Sequence, residues 1–261
     1  MEAYELLERL GEGSFGRVHR GRRRHTGQFC ALKLLAKAQK SPADLAALRA
    51  EVAILQRLHH PNIIALLDCF ETPEDIVLVT ELAVGELFEV LTSDGALPPA
   101  AVASAARDLT AALAYLHAQR VMHRDLKPQN CLIDSRGTVK LCDFGFAREL
   151  GDRASVVLTS VRGTPLYMAP ELFKDARYTP LADVWSLGVL LYELAAGRPP
   201  FFADTLPELM AAIADEARAI EYPASLPAAL VGFLRLCLVR EPAGRATWAQ
   251  LQQHPFLAAE A

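Results

Sequence analysis

Residues 123–130 read His-Arg-Asp-Leu-Lys-Pro-Gln-Asn, directly after a run with the apolar spacing of a helix. Pro128 and the Asp and Asn side chains oppose continuation of that helix, so a rigid loop is expected. Six residues bring together a carboxylate, an ammonium and a carboxamide. Asp125 can accept a proton from a hydroxyl, Lys127 can neutralise a phosphate, and Asn130 can offer its oxygen to Mg2+. A bare His-Arg-Asp run is more often an exposed, salt-bridged turn. The full string is much rarer, and complementary motifs lie on both sides of it.

With 261 residues, 52% of them hydrophobic, the chain can bury a sizeable core as one large domain or two lobes. The net charge of −4 gives no global pull toward nucleic acid or an anionic membrane. The basic run Arg20, Arg22, Arg23, Arg24 and His25 is local, and is expected as a solvated turn between strands. Cys30, Cys69, Cys131, Cys142 and Cys237 are odd in number and lack Cys-x-x-Cys spacing. Free thiols in a reducing compartment are therefore expected, not disulfides or zinc. The acidic start Met-Glu-Ala-Tyr-Glu has no signal-peptide pattern, and no apolar run reaches ~18 residues without a charge. These features point to a cytoplasmic or nuclear protein with no membrane and no nucleic-acid partner.

Upstream, Gly11-Glu12-Gly13-Ser14-Phe15-Gly16 is a G-x-G-x-x-G run, which dinucleotide-binding folds share. There a helix follows the glycines; here Arg17–Gly21 and Gln28–Leu35 read as strands. A glycine-rich hairpin tip suits a lid whose N–H groups approach phosphates without Cβ hindrance. Strand alternation puts Phe29, Ala31, Lys33 and Leu35 on one face. Ser41-Pro42-Ala43-Asp44 starts a helix to about Leu58, with Leu45, Leu48, Val52 and Leu55 as its apolar stripe. Glu51 lies on or beside that stripe and needs a partner, for which Lys33 is the candidate. The apolar strand Ile76–Leu82 runs into Thr80-Glu81-Leu82-Ala83-Val84-Gly85, where a hinge is expected. A long helix from Pro98–Pro99 through Gln119 leads into the 123–130 loop.

Downstream, Cys131–Asp134 and Thr138–Leu141 read as a hairpin that returns the chain to Asp143-Phe144-Gly145. Asp143 then offers hard oxygen to a cation. Residues 145–169 carry few periodic signals and several hydroxyls, and end at Ala169-Pro170-Glu171. Asp183–Gly197 is apolar nearly all round, so a buried helix is expected there, ending at Gly197. His254 is read as a cap or surface residue.

Taken in order, these motifs resemble eukaryotic protein kinases, and the likeness covers essentially the whole chain. It implies an α+β, two-lobed fold: residues 1–256 as the kinase domain, with an N-lobe of about 1–80, a hinge at 81–85 and a C-lobe at 86–256. It implies Mg·ATP-dependent transfer to Ser or Thr hydroxyls of a protein substrate. Asp125, Lys127 and Asn130 would be catalytic, and Asn130 and Asp143 would bind Mg2+. The ATP site would comprise Leu10, Gly11, Gly13, Gly16, Val18, Ala31, Lys33, Glu51, Thr80, Glu81, Ala83, Leu132 and Asp143. Glu171 would pair with Arg245, Asp183 would hold the catalytic loop's backbone, and 163–167 would form a peptide shelf. Thr159 and Ser160 would be regulatory, a phosphate there being read by Arg124 and Arg148. Glu86 and Glu193 stand where some relatives read an upstream arginine, whereas Gln129 replaces a usual glutamate.

Gly11–Val18, Phe70-Glu71-Thr72, Gly85-Glu86-Leu87-Phe88, 142–148 and 158–168 resemble the Fused kinases in particular. That family implies Hedgehog, ciliary or cytokinetic signalling, an upstream activator or scaffold, and a helical-repeat region continuing beyond residues 257–261. Two alternatives are a pseudokinase and a small-molecule kinase. Lys33, Asp125, Asn130 and Asp143 are all present, against the first; the Gly163–Glu171 shelf and the Glu171–Arg245 pair speak against the second.

Overall fold

The computed structural model describes residues 2–13, 16–38, 40–144, 147–149, 165–174 and 178–258. Strands β1 (Tyr4–Gly13) and β2 (Gly16–Arg23) pair antiparallel, with Gly13 opposite Gly16, so Gly11, Gly13 and Gly16 lie at the paired end of a hairpin. Gly16 cannot carry a side chain without rearrangement, because a Cβ would lie 2.1 Å from the Leu34 carbonyl oxygen. The basic run departs from expectation. Arg20, Arg22 and Arg23 lie inside β2, and only Arg24 and His25 enter the turn. Arg22 reaches Glu5 at 2.7 Å and Arg20 reaches Glu8 at 3.0 Å, cross-strand pairs that support the extended backbone.

β3 (Phe29–Ala36) buries Cys30, Leu32 and Leu34 and leaves Ala31 and Lys33 half-buried. Helix α1 (Pro42–Arg57) starts as the sequence predicts. The Ser41 hydroxyl accepts from the Asp44 N–H, the Asp44 carboxylate accepts from the Ser41 N–H, and proline opens the first turn. β4 (Leu66–Glu71) and β5 (Asp75–Thr80) complete a five-stranded sheet of order β1-β2-β3-β5-β4. Leu48, Val52 and Leu55 of α1 share a core with Leu35, Ile76 and Leu78, while Tyr4, Leu32, Leu34, Val77 and Val79 form a smaller second one.

The remainder is mainly helical. β6 (Gly85–Glu86) leads into α2 (Leu87–Asp94) and α3 (Pro99–Ala118), then β7 (Val121–Met122). After the 123–130 loop, which ends in a 3-10 turn at Pro128–Asn130, come β8 (Cys131–Ile133) and β9 (Val139–Leu141). β10 (Arg148–Glu149) pairs with β7, setting Arg148 opposite Met122. A 3-10 turn at Pro165–Tyr167 precedes α4 (Glu171–Lys174), α5 (Pro180–Ala196), α6 (Leu206–Ala214), α7 (Ala228–Cys237), α8 (Trp248–Gln252) and α9 (Pro255–Ala258). α5 begins three residues before the expected Asp183, because Pro180 is pre-set for a first helical turn. Its Trp185, Leu187, Leu190 and Leu191 are wholly buried, each worth about 1.5–3 kcal/mol of burial. The helix ends at Gly197, which takes the left-handed conformation at φ +71°. The fold is α+β, a five-stranded antiparallel sheet with one helix followed by a mainly helical region, as the sequence implies. Among the described residues no helix is long and apolar enough to cross a membrane.

Candidate active site

The loop between β7 and β8 is held from α5. The Asp183 carboxylate, fully buried, accepts the His123 N–H at Oδ2 and the Arg124 N–H at Oδ1, both at 3.0 Å. The Tyr178 hydroxyl donates to Oδ1 at 2.9 Å, and His117 Nε2 lies 2.8 Å from Oδ2. Burial disfavours the Asp183 charge, but the hydrogen bonds from His117 and from the Arg124 N–H outweigh it. Its carboxyl is therefore held below the ordinary range. Arg124 needs that hold, since its φ of +72° is costly for a side chain with Cβ. Its guanidinium stacks on Tyr178, 5.0 Å from the ring centroid.

Asp125 is the centre of a small network. Lys127 Nζ donates to its Oδ2 at 2.7 Å, and Asn130 Nδ2 donates to the same oxygen at 2.9 Å and to the Asp125 carbonyl at 2.7 Å. Two acceptors on one face of the Asn130 amide fix which end is nitrogen, leaving the carboxamide oxygen as its acceptor. The Asp125 N–H donates to His123 Nδ1, so the ring proton sits on Nε2 and donates to the Cys142 carbonyl at 3.0 Å. The Cys142 N–H in turn donates to the Asn130 carbonyl at 2.9 Å. These bonds join the loop to the strand end that carries Asp143.

Asp143 also has a left-handed backbone, φ +59°, and its Oδ1 accepts from Lys33 Nζ at 3.1 Å. Burial works against the Lys33 ammonium, but the charges of Asp143 and then Glu51 outweigh it and raise its pKa above the usual lysine value. Glu51 is buried on α1 and its charge acts on Lys33, while the lysine's bond of 3.1 Å goes to Asp143. Phe144 is buried edge-on against His123.

The flanking wall comes from the sheet. Val18 lies opposite Lys33 across β2–β3, and Ala31 opposite Thr80 across β3–β5. Leu10 is half exposed, with Gly11 beside it. Leu132 pairs with Glu86 on β6, next to Ala83 and Val84, whose N–H donates to the Ile133 carbonyl. The Glu81 carboxylate is turned to other duty. Its Oε1 accepts from Ala65 N–H at 2.8 Å and from Lys140 Nζ at 3.0 Å, and Lys140 also donates to the Pro61 carbonyl. Sequence reasoning missed this clamp, although a lysine between Val139 and Leu141 was a visible signal of a buried cation needing a partner.

The Glu171–Arg245 pair is present as a two-bond fork, Nη1 to Oε1 at 2.7 Å and Nη2 to Oε2 at 2.6 Å. Tyr167 donates its hydroxyl to Glu193, a contact the sequence did not suggest. His254 does act as a cap, its Nδ1 accepting the Phe256 N–H. Thr159 and Ser160 lie outside the described residues, as does the side chain of Arg148.

Chemically, the cluster offers two ammonium groups for anions, one carboxylate beside them, and hard oxygens on Asn130 and Asp143. Among the described residues no three His, Cys, Asp or Glu side chains form a cage for a metal ion. That donor set suits Mg2+ shared with substrate phosphates, which uses one or two carboxylates, rather than a protein-enclosed ion.

The description Protein kinase domain matches residues 4–257. The chain is 48% identical over 257 residues to serine/threonine-protein kinase TIO of Arabidopsis thaliana, covering 98% of this chain and 19% of the relative. It is 46% identical to serine/threonine-protein kinase 36 of Pongo abelii, covering 99% and 19%, and 40% identical to serine/threonine-protein kinase fused of Drosophila melanogaster, covering 98% and 32%. The chain thus spans 19–32% of the length of these curated relatives. It belongs to the protein kinase domain family, and the relatives it matches are named serine/threonine-protein kinases, fused among them.

Proposed function

We propose that the chain transfers the γ-phosphoryl group of ATP to Ser or Thr hydroxyls of proteins, with Asp125 orienting the hydroxyl and receiving its proton. The observation that carries this reading is the bonded cluster Asp125–Lys127–Asn130, joined through Cys142 to the Lys33–Asp143 pair. Asn130 and Asp143 hold Mg2+, which when bound neutralises phosphate oxygens. Lys33 holds the α- and β-phosphates, with Glu51 supporting its charge, and Lys127 steadies the γ-phosphate. Gly11, Gly13 and Gly16 let the hairpin approach the phosphates. Leu10, Val18, Ala31, Thr80 and Leu132 enclose the base, which bonds the backbone at Glu81 and Ala83. The Glu81 side chain is already committed to Lys140 and Ala65. In this reading residues 1–256 form the kinase domain, hinged at 81–85, and the chain acts in a Fused-like signalling role under an upstream activator or scaffold.

Substrate choice follows from three side chains. Burial raises the Glu193 carboxyl above its usual range against the Tyr167 hydrogen bond, and burial with the Glu89 charge does the same for Glu86. Gln129 adds no charge beside them. Together they favour a mild preference for arginine upstream of the acceptor. Phosphorylation of a degenerate peptide library by the purified chain tests the proposal. Incorporation on Ser and Thr with modest arginine enrichment is expected; no incorporation, or an absolute arginine requirement, contradicts it.

A further inference from the structure

Trp248 lies in α8, outside the loop and outside every strand that lines the site, yet three bonded links connect it to the backbone beside Asp125. Its position is rigid. It is the first residue of a helix whose start is fixed by Thr247 and Gln250, each accepting the other's N–H through its side chain. The indole Nε1 donates to His117 Nδ1 at 2.5 Å, and the two rings meet edge-on, 5.0 Å between centroids at 87°. An indole N–H can only donate, so His117 Nδ1 must be the bare acceptor nitrogen. The ring proton is therefore on Nε2, where it points at Asp183 Oδ2, 2.8 Å away. With the opposite tautomer His117 would present a lone pair to a buried carboxylate, a repulsive arrangement.

Asp183 then distributes that constraint. The oxygen that accepts from His117 also accepts the His123 N–H, and its twin accepts the N–H of Arg124, the left-handed residue directly before Asp125. A strained backbone persists only where its surroundings over-determine it. Loosening Asp183 gives Arg124 room to relax, and Asp125 moves with it.

We infer that Trp248 is a positioning residue for phosphoryl transfer: its indole N–H selects the His117 tautomer, which orients Asp183 to hold the Arg124 backbone beside Asp125. This rests on Asp125 being the group that receives the substrate proton. The competing view is that Trp248 only fills space between α3 and α8.

Trp248→Phe removes the N–H and keeps an aromatic ring. In the purified chain kcat is expected to fall about 3- to 30-fold, short of the ~100-fold cost of a 1 Å misplacement, with KM for ATP changed less than about twofold. His117→Phe is expected to lose at least as much, and adding Trp248→Phe to it should cost nothing more, because the two act in series. Unchanged kcat in Trp248→Phe, or losses that multiply in the double variant, would overturn the inference. Asp125→Asn is measured alongside. If it loses turnover while Trp248→Phe keeps it, the relay alone fails; if it keeps full turnover, the reading of Asp125 fails and takes the relay with it. Should Trp248→Phe not fold, long-range 1H–15N correlation spectra of the native chain decide the matter. A proton on His117 Nε2 supports the relay, and one on Nδ1 contradicts it.

Discussion

Arg245 commits all five of its N–H donors inside the protein. Nε donates to the Val239 carbonyl, Nη1 to Glu171 and the Leu181 carbonyl, and Nη2 to Glu171 and the Arg240 carbonyl. The side chain is wholly buried and stacks over Trp185. Lysine offers three donors from one point and cannot reproduce that planar fork. Arg245→Met, which strands Glu171 at 11% exposure, is expected to cost about 3–5 kcal/mol in urea unfolding, and Arg245→Lys to recover only a minor part of it. A loss within 1 kcal/mol, roughly that of an exposed pair, would contradict this. The pairing of Glu171 with Arg245 was legible because the motifs around both residues resemble a known family. Lys140 with Glu81, and Trp248 with His117, were not. Their partners lie 59 and 131 residues away in sequence, and nothing local says which polar group a buried donor will meet.

At the scale of elements, starts and stops were readable wherever a local rule governs them, as with Ser41 and Asp44 at α1 or Gly197 after α5. The arginine run was misread because an arginine-rich strand has no apolar alternation, and only its glutamate partners on β1 reveal it. How α1 is tied to the sheet was also invisible. Glu71 on β4 accepts Arg49 of α1 at 2.9 Å, and Lys37 at 2.6 Å. The hydrogen bonds from Arg49 and then Lys37 pull its carboxyl down to about 2. The folded value is thus below the unfolded one, so this tie stabilises fully above about pH 4.3 and is lost as pH falls toward 2. Because Glu71 is 40% exposed and Arg49 55%, solvent and salt screen the effect. In melting curves from pH 6 to pH 2 at low salt, Glu71→Gln should lower Tm near pH 6, with the gap narrowing below about pH 4.3 and closing toward pH 2. A constant offset across that range would show that the charge is not what matters.

For the whole molecule, the order of motifs made the α+β architecture readable before any contact was known, and it named the residues from which the candidate site is built. The regulatory state is a separate question, because Thr159 and Ser160 lie outside the described residues. The β7–β10 pairing brings the Arg148 backbone opposite Met122, two residues before Arg124, so a basic pair at this point would accept a phosphate. Thr159→Ala with Ser160→Ala is expected to lower activity about tenfold or more, an order of magnitude typical of one charge-assisted contact. Full activity in the double variant would point to a partner protein as the activator.

The central claim is that Asp125 acts on the hydroxyl proton while Asp143 acts on the metal-bound nucleotide. The most direct measurement is Mg·ATP affinity by calorimetry together with kcat on a Ser/Thr peptide, for the native chain, Asp125→Asn and Asp143→Asn. Asp125→Asn should lower kcat by roughly 10²–10⁴ with ATP affinity almost unchanged, as expected for a lost base. Asp143→Asn should weaken Mg·ATP binding as well as turnover. If ATP affinity collapses in Asp125→Asn, or kcat survives in it, Asp125 is a structural residue and the assignment is wrong.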